Sequence, residues 1–469
     1  MGRPSVPLSA DLPPLIMGTA TFNSQYNPDP YALPTTELVH HALSRGVRAF
    51  DTSPYYGPAE ELLGRALATD FVCSEFPRNT YKLLTKVGRV ASSSFDYSPQ
   101  WIRQSVRRSL QRLHTDYLDV VYCHDVEFVS AGEVLEAVRE LRRIRDVQGT
   151  VRYVGISGYP VDVLCDLAEM VLRETGEPLD AVMSYANYTL QNTRLLTHGL
   201  PRLVAAQVDV IPNASPLGMG LLRRTGVPIG SMGDFHPAPD ALRTVIHHAS
   251  NWAETQGERI EVIAIRYALE SWLLSAAKAG SLGSPLAQSA DSHPAFLSAA
   301  HTGTGNRLGV SVMGVSNLDE LNETLRVWRS IIDGLETRDN DDDNAPLLLP
   351  DESIVQAPGI LTPSNGLVTD RAWSRSRRER ILSLTQGIRD ILGPEWVDYT
   401  WASPGPGFVN SLPEEHVAAL RASAGTPPAA EQVSCGIFGD CMLTPPLEAA
   451  DPRVERQTRP SGVDSRSTP

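Results

Sequence analysis

The chain is poor in cysteine and has no long apolar run. Its five cysteines (Cys73, Cys123, Cys165, Cys435 and Cys441) follow no repeated CxxC spacing. Neither a disulfide framework nor a zinc site is therefore indicated, and reduced thiols in a cytoplasmic protein are expected. No segment reaches the roughly 18 consecutive apolar residues that a membrane-crossing helix requires. No apolar signal region follows Met1, and position 6, a Val, lacks the Ser or Thr of a myristoylation site. Excess positive charge is missing as well. A formal net charge of −14 argues against non-specific binding to nucleic acid or to an anionic membrane surface.

What is present is length and alternation. At 469 residues the chain exceeds the roughly 250–300 residues at which single cores stop growing, so one large α/β domain plus a further segment is expected. Short β-rich runs fall near Leu15–Thr19, Arg48–Thr52, Lys82–Lys86, Leu118–Tyr122, Tyr153–Ser157, Ala181–Tyr185, Asp209–Pro212 and Gly309–Gly314. Amphipathic stretches separate them at Thr35–Arg45, Ala59–Ala68, Pro99–Leu113, Ala131–Val147, Val161–Glu174, Thr193–Ala206, Pro239–Ala276 and, after the last run, Leu318–Asp333. Parallel strands joined by crossover helices read this way. No GxGxxG follows the first run, so an eight-unit (β/α)8 TIM barrel fits better than an open doubly wound sheet. Its site would lie at the C-terminal mouth of the strands.

Residues 12–334 are assigned to this barrel. Gly280–Arg307, rich in Ser, Gly and Ala, is read as a long insertion before the last strand, either a mobile loop or a lid. Residues 335–424 read as an acidic linker and a partly helical C-terminal extension, with Arg377–Leu392 helical. The aromatic run Trp396–Trp401 is read either as a cover for the barrel mouth or, the favoured expectation, as packing against an outer helix. Residues 425–469 are Pro-, Ser- and Arg-rich and are expected to be disordered.

Four polar residues end or closely follow consecutive β-like runs: Asp51 and Tyr56 in AFDTSPYYG, Lys86 in YKLLTKVG, and His124 in YLDVVYCHD. Singly, each has a bland explanation: a local Asx cap, a turn aromatic, a strand-end charge and a satisfied polar residue. Together, at the same ends of neighbouring strands, they suit proton transfer. A Tyr, pKa about 10 when unperturbed, gains acidity from a nearby ammonium; an Asp aims that ammonium; a His orients the substrate oxygen.

These motifs resemble the aldo-keto reductase superfamily. Asp51-Thr52-Ser53-Pro54-Tyr55-Tyr56-Gly57 resembles its D-T/S-A-x-x-Y-G motif, Lys86 its strand-three Lys, and Tyr117 to His124 its Y-x-D-x-x-x-x-H segment. Gly155-Ile156-Ser157 is similar to its V-G-V/I-S-N strand, with Gly158 in place of Asn. Asn187 follows Met183-Ser184-Tyr185-Ala186 where the family has Gln-x-x-Tyr-Asn. The run from Asn213 to Gly220 (NASPLGMG) lacks, at Ala214, the family's nicotinamide-stacking Tyr. It resembles the branch holding plant L-galactose dehydrogenase and fungal D-arabinose dehydrogenase.

The resemblance implies catalytic Tyr56, Lys86, Asp51 and His124. It also implies a nicotinamide dinucleotide held by Ser157, Asn187, Ser215, Leu217, Gly218, Gly314, Ser316 and Glu320. The segment Met313–Glu323 carries three carboxylates and no cation, which favours NAD over NADP because a 2′-phosphate would be repelled. The branch implies oxidation of an aldose at C1 to a lactone, with sugar hydroxyls met by Tyr55, Asn23, Tyr26, Asp125 and, on the same loop, Glu127. An NADPH-linked aldehyde or ketone reductase and a cofactor-binding regulatory subunit are the alternatives. The expected partner is a small sugar, with no metal, nucleic acid or membrane, and the expected assembly is a monomer or weak homo-oligomer.

Overall fold

The computed structural model describes residues 4–227, 233–286, 307–333 and 371–424. Ten strands occur among them: β1 (Leu15–Gly18), β2 (Ala49–Asp51), β3 (Lys82–Val87), β4 (Arg89–Ala91), β5 (Ser94–Phe95), β6 (Leu118–His124), β7 (Val151–Gly158), β8 (Ala181–Tyr185), β9 (Asn213–Ala214) and β10 (Ser311–Gly314). Eight of them close a parallel barrel in the order β1-β10-β9-β8-β7-β6-β3-β2, while β4 and β5 form a separate antiparallel hairpin. The expected (β/α)8 TIM barrel is therefore the fold, with a hairpin that the sequence reading left out.

Strand alternation divides the core. Leu84, Val120 and Tyr122 cluster with Ile16, Ala49, Ala181, Val210 and Val312, whereas Leu83, Val121 and Cys123 join the helix side chains. Successive strand residues point to opposite faces, so Lys86 and His124 share a face with Leu84 and Tyr122. Register places Lys86 opposite Tyr122 and Asp51 opposite Leu84. The strand that follows Leu200–Ala205 departs most from expectation. Within Asp209–Pro212 only Val210 pairs, in an isolated bridge to Ala181, and the ladder itself is Asn213–Ala214.

Helix boundaries have local causes. Ser130 and Glu133 form a reciprocal capping box at the start of Ala131–Gln148, and Gly149 ends that helix at φ 70°. The expected Thr193–Ala206 helix instead begins as a π turn, Leu195–Gly199, before Leu200–Ala205. Pro201 has no N–H to give to a carbonyl one turn back, which favours a wider turn there.

The ends of the 280–307 insertion are anchored far from the strand C-termini. Ser281 and Leu308 pair with each other, and Ser281 Oγ donates to Ser9 O at 3.0 Å, in the segment preceding β1. Residues 287–306, the acidic run at 337–346 and the 425–469 tail lie outside the described residues.

The extension packs onto the barrel. Helix Arg371–Trp396 sets Ile381, Leu384, Ile388 and Leu392 against Leu242, Ile246, Ala249 and Ile263 of helices Asp240–Thr255 and Ile260–Ser275. A Cβ on Gly387 would collide with the Trp252 ring, so glycine permits the close approach. Arg378 Nε reaches Glu270 at 2.6 Å. Beyond Gly393, where the helix breaks at φ 65°, the chain turns toward the mouth of the barrel. Truncating fully buried Ile388 to Ala is expected to destabilise the protein by about 2–4 kcal/mol. Urea unfolding should report this loss in the transition of the barrel itself.

Candidate active site

Each tetrad residue owes its place to a strand end. Asp51 is the last residue of β2, Lys86 the penultimate residue of β3 and His124 the last of β6, while Tyr56 follows β2 in a turn whose N–H bonds back to Ser53 O at 3.1 Å. The structure brings all four together. Lys86 Nζ donates to Asp51 Oδ1 at 2.6 Å and to Thr52 O at 2.9 Å, and lies 4.8 Å from the centre of the Tyr56 ring. The Tyr56 and His124 rings meet edge to face at 5.7 Å.

Electrostatics sort these groups by role. Burial, reinforced by the negative charges of Asp51 and Asp125, raises the Tyr56 phenol well above its usual value, while Arg89 opposes this. Burial lowers the His124 imidazole to about 3, with Asp125 opposing and Lys86 and Arg89 adding to the shift, so the ring is neutral at ordinary pH. Its tautomer follows from its partner. Ser53 Oγ accepts from Tyr55 N at 3.1 Å and stands 3.1 Å from His124 Nδ1. Asp125 Oδ2 lies 3.5 Å from Nε2, and a carboxylate there favours the imidazole proton on Nε2, with the serine giving its own proton to Nδ1. Burial also raises the Asp51 carboxyl against the pull of Lys86.

The tetrad sits in a cavity of about 790 Å³, within the usual ~300–1,000 Å³ of ligand sites. Its wall includes Ser157, Ser215, Leu217, Gly314, Ser316 and Glu320, together with Tyr55, Tyr26 and Asp125. Four expected site residues are absent from that wall. Asn187 is buried in the scaffold, donating to Tyr159 O at 2.5 Å and Ser184 Oγ at 2.9 Å. Asn23 closes its own turn, accepting from Gln25 N at 2.7 Å. Gly218 turns its carbonyl to His236 Nε2 at 2.8 Å. Glu127 also lies behind the wall, holding Tyr159 N at 3.1 Å and Ser403 Oγ at 2.9 Å.

Other wall residues escaped the sequence reading, namely Arg89, Tyr185, Arg223, Arg224, Arg259 and, from the extension, Ser403, while Trp401 belongs to the aromatic run considered as a cover for the mouth. Trp401 stacks on Tyr159 at 4.7 Å with the planes 8° apart. The aromatic run thus reaches the mouth as well as the outer helices. Only Arg89 had a local signal, since it follows Lys86 within Lys-Val-Gly-Arg. Gly88, at φ 99°, faces the Tyr97 ring so closely that a Cβ would collide with it.

The loop after β9 suits an extended dinucleotide without a Rossmann motif. Ser215, Gly218, Met219 and Gly220 all adopt positive φ. Among the described residues, the N–H groups of Leu217 and Met219 have no acceptor. Two free amides on one tight loop suit a phosphate oxygen. Ser316 N is already taken by Glu320 Oε2 at 2.8 Å, so that amide is capped by a carboxylate. Among the described residues, no group of His, Cys, Asp and Glu side chains is arranged to hold a metal ion, and no helix is long and apolar enough to cross a membrane.

Comparison with known proteins agrees with this geometry. Residues 14–334 match the profile of the Aldo/keto reductase family. The chain is 43% identical over 266 residues to D-arabinose 1-dehydrogenase of Saccharomyces cerevisiae, an overlap of 56% of this chain and 77% of that protein. It is 35% identical over 245 residues to L-galactose dehydrogenase of Arabidopsis thaliana, covering 52% of this chain and 72% of that protein. With D-threo-aldose 1-dehydrogenase of a Pseudomonas species it shares 26% identity over 287 residues, 54% of this chain and 81% of the relative. A closed parallel barrel with a Tyr, Lys, Asp and His at its mouth, matched over most of its length, makes this chain a member of the aldo/keto reductase family and an oxidoreductase of the kind that works with a nicotinamide cofactor.

Proposed function

We propose that the protein oxidises an aldose of the D-arabinose or L-galactose type at C1 to its lactone, with NAD as cofactor. The observation that carries this reading is the buried Asp51–Lys86 pair set against the Tyr56 ring, with neutral His124 at its edge. The names of the relatives supply the substrate class.

The nicotinamide, when bound, accepts the hydride from C1. Everything else is done by side chains. Tyr56 acts from its phenolate form, which Lys86 stabilises, and is neutralised as it takes the proton from the C1 hydroxyl. Asp51 keeps the ammonium aimed. His124 donates from Nε2 to the same oxygen. Ser157, Ser215, Leu217, Gly314 and Ser316 line the part of the cavity assigned to the cofactor, and Glu320 is assigned to a ribose hydroxyl. At the position of Ala214 the neighbouring strand offers an aromatic instead, since its register partner Tyr185 is on the same wall.

Charge at the adenosine end supports NAD. On the wall Glu261, Glu320 and Glu323 balance Arg223, Arg224 and Arg259, and each guanidinium already has a carboxylate partner: Glu320 at 3.8 Å, Glu254 behind the wall at 2.7 Å and Glu323 at 2.8 Å respectively. A doubly charged phosphate would have to displace one of these carboxylates to find a cation. The same three arginines are the observation that favours the second reading, an NADPH-linked aldehyde or ketone reductase, because exposed ion pairs are weak and can exchange partners.

Tyr56→Phe is expected to lower kcat by about 10²- to 10⁴-fold while NAD still binds, as followed by fluorescence titration; wild-type turnover would remove the phenol from the mechanism. The pH profile follows from burial, which penalises the charged form of each group. His124 stays neutral above about pH 3, so kcat/KM should have no inflection near 6.5, the ordinary imidazole value. Tyr56 is raised, so oxidation should keep accelerating above about pH 9 as the fraction of its base form grows. Glu320→Arg is expected to shift the NAD/NADP ratio of kcat/KM toward NADP by about tenfold or more. An unchanged ratio would locate the adenosine ribose elsewhere.

A further inference from the structure

We propose that Arg89, paired with Asp125, selects a polyhydroxylated substrate, and that Asn410 of the C-terminal extension holds it in position. The proposal rests on the aldose reading above. It concerns which groups at the open end of the cavity meet the sugar hydroxyls.

Arg89 projects into the cavity from hairpin β4–β5. Its guanidinium lies over the Tyr55 ring at 3.8 Å, donates through Nη2 to Tyr55 OH at 3.0 Å and to Ser92 O at 3.1 Å, and bonds through Nη1 to Asp125 Oδ2. Nε reaches Ala91 O at 3.4 Å. A guanidinium carries five N–H donors, so one Nη1 hydrogen has no acceptor among the described residues. Asp125 Oδ1 likewise has no donor among them. A free donor and a free acceptor therefore stand side by side on a nearly buried ion pair, with side chains 16% and 3% exposed. A hydroxyl both donates and accepts, and two adjacent hydroxyls of a sugar satisfy such a pair at once. A site built to bond hydroxyls discriminates strongly against an analogue without them, because its own polar groups are then left unpaired.

The position of Arg89 depends on a segment beyond the family match. Arg89 is the register partner of Phe95 in the hairpin. Asn410 grips Phe95 on its outer edge, accepting from Phe95 N at 2.8 Å through Oδ1 and donating to Phe95 O at 2.9 Å through Nδ2. One amide side chain thus replaces a neighbouring strand. Phe95 stacks on Phe128 at 4.6 Å, and Phe408 closes on Phe128 from the extension at 4.9 Å. Ser94 Oγ donates to Ser411 O at 2.6 Å, and His416 Nε2 lies 2.8 Å from Asp96 Oδ2. The hairpin is clamped to residues 408–416, and Arg89 with it.

The test is steady-state kinetics on the full chain, comparing aldose oxidation with reduction of a small aldehyde that carries no hydroxyl. Arg89→Met is expected to lower the ratio of kcat/KM for aldose over kcat/KM for the aldehyde by about 10²-fold or more. Should the lone Asp125 charge prevent folding, Arg89→Met combined with Asp125→Asn carries the same expectation. Asn410→Ala is expected to raise the aldose KM about tenfold, with kcat and the KM for NAD within about twofold; a merely structural loss would lower the active fraction and leave KM alone. Equal losses on aldose and aldehyde in the Arg89 variants would overturn the assignment of Arg89. An unchanged aldose KM in Asn410→Ala would overturn the role of the extension. Failure of the wild-type protein to oxidise any aldose would overturn the parent reading, and is seen before any variant is made.

Discussion

The site depends on one buried ion pair. Lys86 and Asp51 meet at 2.6 Å with side chains 1% and 5% exposed, and taking two charges so far out of water is costly unless each is nearly fully bonded. Thr52 O takes a second donor of Lys86, which leaves the third for the direction of Tyr56. Among the described residues Asp51 Oδ2 has no hydrogen-bond partner, so the pair is under-satisfied by a full carboxylate oxygen. An apolar pair of similar size would fill the same space more cheaply. The arrangement makes sense as a way to hold a positive charge beside a phenol that burial otherwise keeps protonated.

Barrel closure makes that pair possible. Asp51 and Lys86 lie on β2 and β3, whose parallel register offsets the two residues by one alternation, and His124 arrives from the next strand through the β3–β6 register. None of the three chooses its orientation independently, because the pleat assigns every second residue to the barrel interior. Around this rigid centre the open end is assembled from less regular pieces: the β4–β5 hairpin, the loop after β9 and the extension. These carry the charges, in pairs whose partners come from distant parts of the chain, such as Arg89 with Asp125 and Arg259 with Glu323.

The difference between centre and rim explains what could be read in advance. Strand period and turn residues are local signals, so the barrel, most helix limits and the tetrad were legible from residues within about ten positions of one another. The last helix of the barrel, Leu318–Asp333, has the expected bounds to the residue. Asn23 and Asn187 are ambiguous in the sequence for the converse reason. An amide beside a site can serve the ligand or its own backbone, and only the neighbours decide; in both cases the backbone has it. The third absentee, Gly218, has no side chain at all, and its carbonyl was drawn off by His236, which no spacing rule connects to it.

What the sequence determined by itself was the chemistry at the strand ends: a Tyr, a Lys, an Asp and a His at positions that alternation sends to one face and one end. What only the tertiary structure decided was the company kept by charged and aromatic groups far apart in the chain. Arg223 lies near Glu320, Asn410 grips Phe95, and Trp401 stacks on Tyr159. Side-chain direction follows from the backbone period and can be counted along the chain. The partner of a long, flexible side chain depends on which distant loop the folded barrel brings within a few ångströms, and the order of residues does not carry that information locally.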